Sequence, residues 1–380
     1  MSKATVMAGI PEKNLSLFHR VRFMMGDPAA VADLPSGRSV FICRDIELHR
    51  ARATAKVDEA YGPGEFTPKG GLSADRATQT AQALAELLVR EGVTVARADR
   101  TFGLVYAEHL RERGIAVEYD PDLGEADRRA KDDEELKALR DAQAMTERAM
   151  ELACTMIAES KAEASGRLKY DGAVLTSVRV RRAVDIFLLE HGYANANCIV
   201  AGGKEGADCH NRGEGELRTG QPVIVDIFPQ SKATHYNGDC TRTVVHGDVP
   251  DEIARMHAAV VAGKKAAIEA TRAGRTGGAL YEACIAVIRA HGWDRALLPE
   301  DPPADFCSMQ HGLGHGVGLE VHEAPLLDEG GPATVDGDVV TIEPGLYHAT
   351  LGGVRVEDMV VIRKDGCENF NTLHEGLTWK

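Results

Sequence analysis

Apolar positions along this chain follow two periods, and the places where the period changes divide it. In the first third, short apolar runs alternate with amphipathic stretches: Ser39 to Cys43 reads as a strand, Thr78 to Glu91 as a helix, Val93-Thr94-Val95 as a short strand, the stretch around Leu104 to Arg113 as a helix, and Ile115 to Tyr119 as another strand. That alternation predicts a small α/β layer domain. The charged segment Asp127 to Glu135 then opens a long helical pattern that runs to about Ser160, and it places a domain boundary near residue 128. A second helix reads from about Tyr170 to Glu190 and stops at His191-Gly192, where glycine supplies the positive φ of a C-terminal cap. Strand patterns dominate until Pro250 and Asp251 open a further helix, which Thr276-Gly277-Gly278 separates from one ending near His291-Gly292. Two domains, residues 1–128 and 129–380, are expected, in keeping with a length of 380 residues.

Within the second domain, acidic residues interrupt apolar runs. Val223-Ile224-Val225-Asp226-Ile227 leads into a turn and returns through Tyr236 to Thr243, carrying Asp239; Val339-Val340-Thr341-Ile342-Glu343 leads into Pro344-Gly345 and returns through Gly353 to Glu357. The acidic pairs are separated by 13 and 14 positions. Two hairpins of matching size, each offering one carboxylate per strand, suggest a duplicated half-domain packed about a pseudo-twofold axis. A carboxylate inside an apolar run is costly to bury unless a cation pairs with it.

Between the two pairs lies His311-Gly312-Leu313-Gly314-His315-Gly316-Val317-Gly318-Leu319-Glu320-Val321-His322-Glu323. Three histidines and four glycines in 13 residues make a poor helix and let backbone approach a ligand closely. One imidazole can complete a carboxylate-rich metal site, and the others can donate protons or stabilise an oxyanion. Two Asp, one His and two Glu (Asp226, Asp239, His315, Glu343 and Glu357) are what two adjacent divalent cations require, since carboxylates neutralise positive charge and bridge ions.

Composition narrows the alternatives. A formal net charge of -14, with no long Lys/Arg run, excludes phosphate-backbone binding as the main activity; the densest basic stretch, Arg179-Val180-Arg181-Arg182, reads as a solvated or salt-bridged helix face. Eight cysteines without a Cys-x-x-Cys pair indicate neither a zinc ribbon nor a dithiol redox motif and suit a reducing compartment. Met-Ser-Lys-Ala-Thr lacks the pattern of a secretory signal, and no apolar run approaches bilayer length, so a cytoplasmic protein without membrane partners is expected.

These motifs resemble those of the pita-bread metallopeptidases, the family of Xaa-Pro aminopeptidase (aminopeptidase P), Xaa-Pro dipeptidase (prolidase), methionine aminopeptidase and metal-free creatinase. The resemblance covers essentially the whole chain. It implies an α+β pita-bread catalytic domain with pseudo-twofold duplicated halves, preceded by a smaller α/β creatinase-like N-terminal domain. It implies two divalent metal ions, with manganese suited to oxygen-rich ligation and cobalt, zinc or iron fitting the same donors. On the matching positions, Asp226 would bind one metal, Asp239 and Glu357 would bridge both, and His315 and Glu343 would complete the coordination, Glu343 also serving as acid/base partner of a bridging water or hydroxide. His210, in Asp208-Cys209-His210-Asn211, matches a histidine that contacts substrate near the scissile bond; His322 matches one that hydrogen-bonds the peptide carbonyl; His311 matches a further active-site histidine of the proline-specific branch; and Arg355 matches an arginine that orients the bridging carboxylate.

The resemblance further implies a homodimer and a peptide substrate with proline at the second position, cleaved in the manner of aminopeptidase P, with prolidase-type action on dipeptides as the alternative. A hydrolase or lyase of a small non-peptide metabolite and a peptide-binding module are the other readings. The turn through Pro229 to Thr234 is about two residues longer than is common in the family. No arginine follows His322-Glu323, where several prolidases hold a dipeptide carboxylate; the stretch reads Ala324-Pro325-Leu326-Leu327. His235 and His348 sit near the proposed ligands as substrate contacts or plain turn residues, and Cys209 and Cys240 read as small core side chains, because strand alternation points them away from their neighbours.

Overall fold

The computed structural model describes residues 2–195 and 197–379. Its contacts divide the chain into two compact units, Met1–Arg128 and Arg129–Lys380.

The first unit is built on a six-stranded mixed sheet, in the order Glu59–Tyr61, Ser39–Ile42, Ala29–Asp33, Lys3–Gly9, Val95–Ala98, Ala116–Tyr119. Alternation along the central strands supplies both faces. Ala4, Val6, Ala8, Ala30 and Ala32 pack on the side of the helices Arg76–Arg90 and Leu104–Glu112, whereas Met7, Ala29 and Val31 pack with the helix Leu15–Val21. The helix Leu15–Val21 and the strands Lys3–Gly9 and Ala29–Asp33 are absent from the sequence reading, because their runs of alanine and mixed residues carry little periodicity.

The second unit has the pita-bread α+β fold, and it pairs two helices with a sheet twice over. The helices Asp133–Ala158 and Ser177–Glu190 cover the three-stranded antiparallel sheet of Ile199–Gly202, Pro222–Ile227 and Cys240–Val245. The helices Asp251–Ala270 and Gly277–Ala290 cover strands that include Val339–Ile342, Gly345–His348, Gly352–Arg355 and Asp358–Arg363. The long helix starts where the charge pattern predicts: Asp132 accepts from the Glu135 N–H and Glu135 reaches back to the Asp132 N–H, a reciprocal cap of about 1 kcal/mol or more. The second helix begins at Ser177 rather than near Tyr170, since Leu168–Tyr170 and Ala173–Val174 form a small hairpin and Thr176 is the cap.

The expectation of two matched hairpins needs correction in its second member. Val339–Ile342 pairs not with the Gly353 segment but with Asp358–Arg363, in a five-stranded sheet that ends Ile342 opposite Asp358. The residues between fold back on themselves, Gly345–His348 against Gly352–Arg355, and join Cys307–Ser308 in a separate sheet. Pro344 and Gly345 act as a corner between sheets rather than as the tip of one hairpin. Among the described residues no helix is long and apolar enough to cross a membrane. The basic run on the second helix is structural: Arg179 donates to the carbonyls of Tyr170, Ala173 and Val174, and Arg181 to those of Arg212 and Gly213.

Candidate active site

Strand alternation decides which side chains reach the site. In Pro222–Ile227, Val223, Val225 and Ile227 enter the helix-facing core, so Ile224 and Asp226 take the opposite face. Val340 and Ile342 enter the other core, which leaves Thr341 and the following Glu343 on the far side. Val354 and Val356 likewise turn inward and send Arg355 and Glu357 outward. Asp239, Thr241 and Thr243 share the site-facing parity of the third strand, while Cys240 and Val244 are core.

The result is one cavity of about 260 Å³ lined by all nine residues singled out from the sequence: Asp226, Asp239, His315, Glu343, Glu357, His210, His311, His322 and Arg355. Ile199, Phe228, Val321 and Leu326 add apolar wall, and Cys209 and Asp328 also line it. Donor atoms of Asp239, His315 and Glu357 lie within 4.8 Å of one another. His315 Nε2 is 3.3 Å from a Glu343 oxygen and 3.9 Å from an Asp239 oxygen. Asp226 is drawn toward Arg355, whose Nη2 donates to its Oδ2 at 2.6 Å.

His315 is held from both sides. Gly314 and Gly316 flank it where the neighbouring strands come so near that a Cβ would strike the Thr341 and Ala324 carbonyls, and the His315 N–H donates to Thr341 Oγ1 at 3.1 Å. Its Nδ1 lies 3.1 Å from the Gly316 carbonyl oxygen, an acceptor only, so Nδ1 carries a proton and Nε2 is the nitrogen presented to the carboxylates. His322 packs edge-on against the His315 ring, with centroids 4.2 Å apart.

Asp328 is paired with Arg295; the other four carboxylates lining the cavity share it, among the described residues, with a single guanidinium, that of Arg355. Burial, then the charges of Glu357, Asp226 and Glu343, holds the Asp239 carboxyl well above the usual range. Burial followed by Glu343 and Asp226 does the same to Glu357. Burial raises Asp226 as well, against the pull of Arg355. Burial pushes Glu343 upward too, but the hydrogen bond and charge of His315, with His311 and Arg355, take it down to about 2. Burial pulls His315 down, but its hydrogen bond to Glu343 and the charge of that carboxylate together carry it above the usual value. Without a cation, then, this cluster favours proton uptake on Asp239 and Glu357. Asp226 Oδ1 is buried with no hydrogen-bond partner, which a native protein avoids unless something else occupies that lone pair. An unpartnered carboxylate oxygen, an aimed imidazole nitrogen and an excess of negative charge fit divalent cations.

Some placements differ from expectation. Arg355 makes its close ion pair with Asp226, and its Nε stands 3.2 Å from Thr241 Oγ1, the hydroxyl that itself donates to Glu357 at 2.8 Å. His311 has both nitrogens engaged, Nδ1 with the Gly312 carbonyl at 2.8 Å and Nε2 with the Tyr347 hydroxyl at 2.6 Å, and Tyr347 also accepts from Arg355 at 2.8 Å. Cys209 follows a 3-10 turn rather than lying on a strand, so alternation does not apply and it lines the cavity; Cys240 is core as read. His235 sits at φ 66 in the lengthened turn, away from the cavity lining. His348 is buried, with Nδ1 accepting from the Thr350 and Leu351 N–H groups. Thr241 and Tyr347 join the site without having been singled out by the sequence pattern. Thr241 was findable, two positions beyond Asp239 on the same strand face; Tyr347 carries no local signal.

Residues 137–364 match metallopeptidase family M24. The chain belongs to metallopeptidase family M24. Membership of this metallopeptidase family indicates a metal-dependent peptidase. Among M24 relatives, the chain is 32% identical over 181 residues to a protein named Xaa-Pro dipeptidase from Pyrococcus furiosus, an alignment covering 47% of this chain and about half, 48%, of that protein. It is 27% identical over 291 residues to an Xaa-Pro dipeptidase from Pyrococcus horikoshii, covering 76% of each. The structure of an X-Pro aminopeptidase from Thermotoga maritima superposes with a TM-score of 0.80 at 21% identity, covering 99% of this chain and 97% of that one, which speaks to the shared fold alone.

Proposed function

We propose that this M24 chain is a dinuclear metal-dependent peptidase that hydrolyses the Xaa-Pro bond at the N-terminus of peptides, as a cytoplasmic homodimer. The observation that carries the reading is the convergence of Asp226, Asp239, His315, Glu343 and Glu357 on one cavity, with Asp226 Oδ1 unpartnered and His315 Nε2 directed at the carboxylates. Asp226 would hold one ion, Asp239 and Glu357 both, and His315 and Glu343 would complete the set; manganese suits these donors, and cobalt, zinc or iron would also fit. When bound, the cations would supply Lewis acidity toward the scissile carbonyl and acidify a water toward neutrality.

The chain's own residues do the rest. Glu343 accepts a proton from the attacking water and returns it to the departing proline nitrogen. His322 and His210, both exposed at the cavity, contact the peptide carbonyl and the residue beside the scissile bond. His311, having no free nitrogen, acts through Tyr347 to fix the Arg355 guanidinium, which in turn fixes Asp226. Ile199, Phe228, Val321 and Leu326 give a proline ring an apolar wall.

Prolidase-type action on dipeptides is the second reading, favoured by the names of the two Pyrococcus relatives. The test is hydrolysis of an Xaa-Pro dipeptide and an Xaa-Pro-Yaa tripeptide, with an Xaa-Ala control, by metal-stripped protein reloaded with manganese. Cleavage of the proline substrates alone supports the proposal, and their ratio separates the two readings. Failure on both with two ions bound refutes it.

A further inference from the structure

Asp239 precedes the strand Cys240–Val245, whose ladder with Pro222–Ile227 ends at Ile227 opposite Cys240. Its backbone therefore lies beyond the ladder, although the residue is buried. The missing partner is a side chain. Gln143, fully buried on the helix Asp133–Ala158, accepts from the Asp239 N–H at 2.8 Å and donates through Nε2 to the Asp239 carbonyl at 2.7 Å. A primary amide here reproduces the two bonds a neighbouring strand would make.

The second N–H of the same amide donates to Asn371 Oδ1 at 2.9 Å. That oxygen also accepts from the Met359 N–H at 2.8 Å, two residues beyond Glu357. The Asn371 amide nitrogen lies 3.5 Å from Cys240 Sγ, next to Asp239. Both Gln143 donors and its oxygen are thus in use. The approach depends on Gly238, where a Cβ would run into Thr146 Oγ1 and the Ala142 carbonyl of the same helix.

We infer that Gln143, through Asn371, is a positioning residue that sets the spacing of Asp239 and Glu357, the two carboxylates proposed to touch both cations; the inference rests on that proposed metal reading. It assigns a cation-site role to a helix that contributes no ligand. Asp239 and Glu357 each stand just ahead of a strand, in two different sheets; beside the direct bond of the Glu357 N–H to the Thr241 carbonyl at 3.1 Å, two side-chain amides tie their segments together.

The test compares Gln143→Leu, Asn371→Ala and, as a control that removes a buried apolar side chain one turn from Gln143 and none of these hydrogen bonds, Leu139→Ala, each as the full chain stripped of metal and titrated with cobalt(II). Calorimetry reads affinity and stoichiometry, and the visible absorption of bound cobalt reads coordination geometry. Gln143→Leu and Asn371→Ala are expected to weaken one of two binding events roughly 10–100-fold and to change the cobalt bands. Leu139→Ala is expected to lower thermal stability and leave both readouts as in the parent. If Gln143→Leu and Asn371→Ala bind cobalt with the affinity and spectrum of Leu139→Ala, the inference is overturned and the metal reading stands. If the parent chain binds no cobalt, the metal reading falls and takes the inference with it.

Discussion

Arg355 is the one guanidinium lining the cavity among the described residues, and removing it isolates the charge problem the site has to solve. It is 3% exposed and donates to Asp226 Oδ2, the Tyr347 hydroxyl, Thr241 Oγ1 and the Cys209 carbonyl. Arg355→Met keeps most of the volume and deletes the charge, leaving Asp226 buried beside Asp239, Glu343 and Glu357. Breaking a buried pair by removing one partner costs about 3–5 kcal/mol, because the remaining charge has no counterion. At roughly 2–4 °C per kcal/mol for a unit of this size, the metal-free variant should melt about 6–20 °C below metal-free parent at neutral pH. Removing the arginine raises an Asp226 carboxyl that burial already holds above its usual value. A carboxyl raised in the folded state destabilises above its unfolded pKa and ceases to do so as pH falls and the folded form takes up its proton. The deficit should accordingly shrink toward pH 4 and also when manganese supplies the missing positive charge. The assay is differential scanning calorimetry with chelator and with manganese, from pH 4 to 8. A metal-free variant that melts within 2 °C of parent at pH 7.5, or a deficit that grows as pH falls, would refute the charge argument.

Three further outcomes follow from the same structure. Manganese at about 100 times its dissociation constant should stabilise the metal-free chain by about 2.7 kcal/mol per site, read as a rise of roughly 5–11 °C in the melting temperature; no rise would contradict binding at a folded site. Gly314→Ala should lose metal binding along with stability, since the added Cβ strikes the Thr341 backbone rather than a movable side chain, as cobalt titration and melting would show. His257 is depressed chiefly by burial, while its Nε2 stays 2.8 Å from the Glu375 carbonyl; its contribution to stability is complete above the unfolded value near 6.5 and is lost as pH falls toward the folded one, so urea midpoints of His257→Gln should vary less than those of parent between pH 7 and 5.

What could be read from the sequence and what could not follow from the range of the forces involved. Helix starts of the second unit were legible where charge and period are local, at Asp132 with Glu135 and at Pro250 with Asp251, whereas the small hairpin ahead of Ser177 hides the Thr176 cap. The strand carboxylates were legible because Asp226 and Glu343 break apolar runs, and because alternation dictates that a residue flanked by two core side chains faces the other way. Pairing is a different matter. That Ile342 meets Asp358 while Tyr347 meets Gly353 depends on the chain turning a corner at Pro344, and nothing within a few residues distinguishes a corner from a hairpin tip.

The supporting polar residues were illegible for a related reason. Gln143 sits in a helix as an ordinary helix former, and Asn371 lies far along the chain, 228 positions away. Their meaning exists only once Asp239 is seen beyond the end of its ladder with buried backbone groups to satisfy. A ligand betrays itself by the cost of burying it, a cost written next to it as apolar neighbours. A residue that holds a ligand has its own cost cancelled by the bonds it makes, so it leaves no local anomaly. Sequence reasoning therefore finds buried carboxylates before it finds the side chains that bond to their backbone, and the carboxylate cluster was visible where the amide path behind it was not.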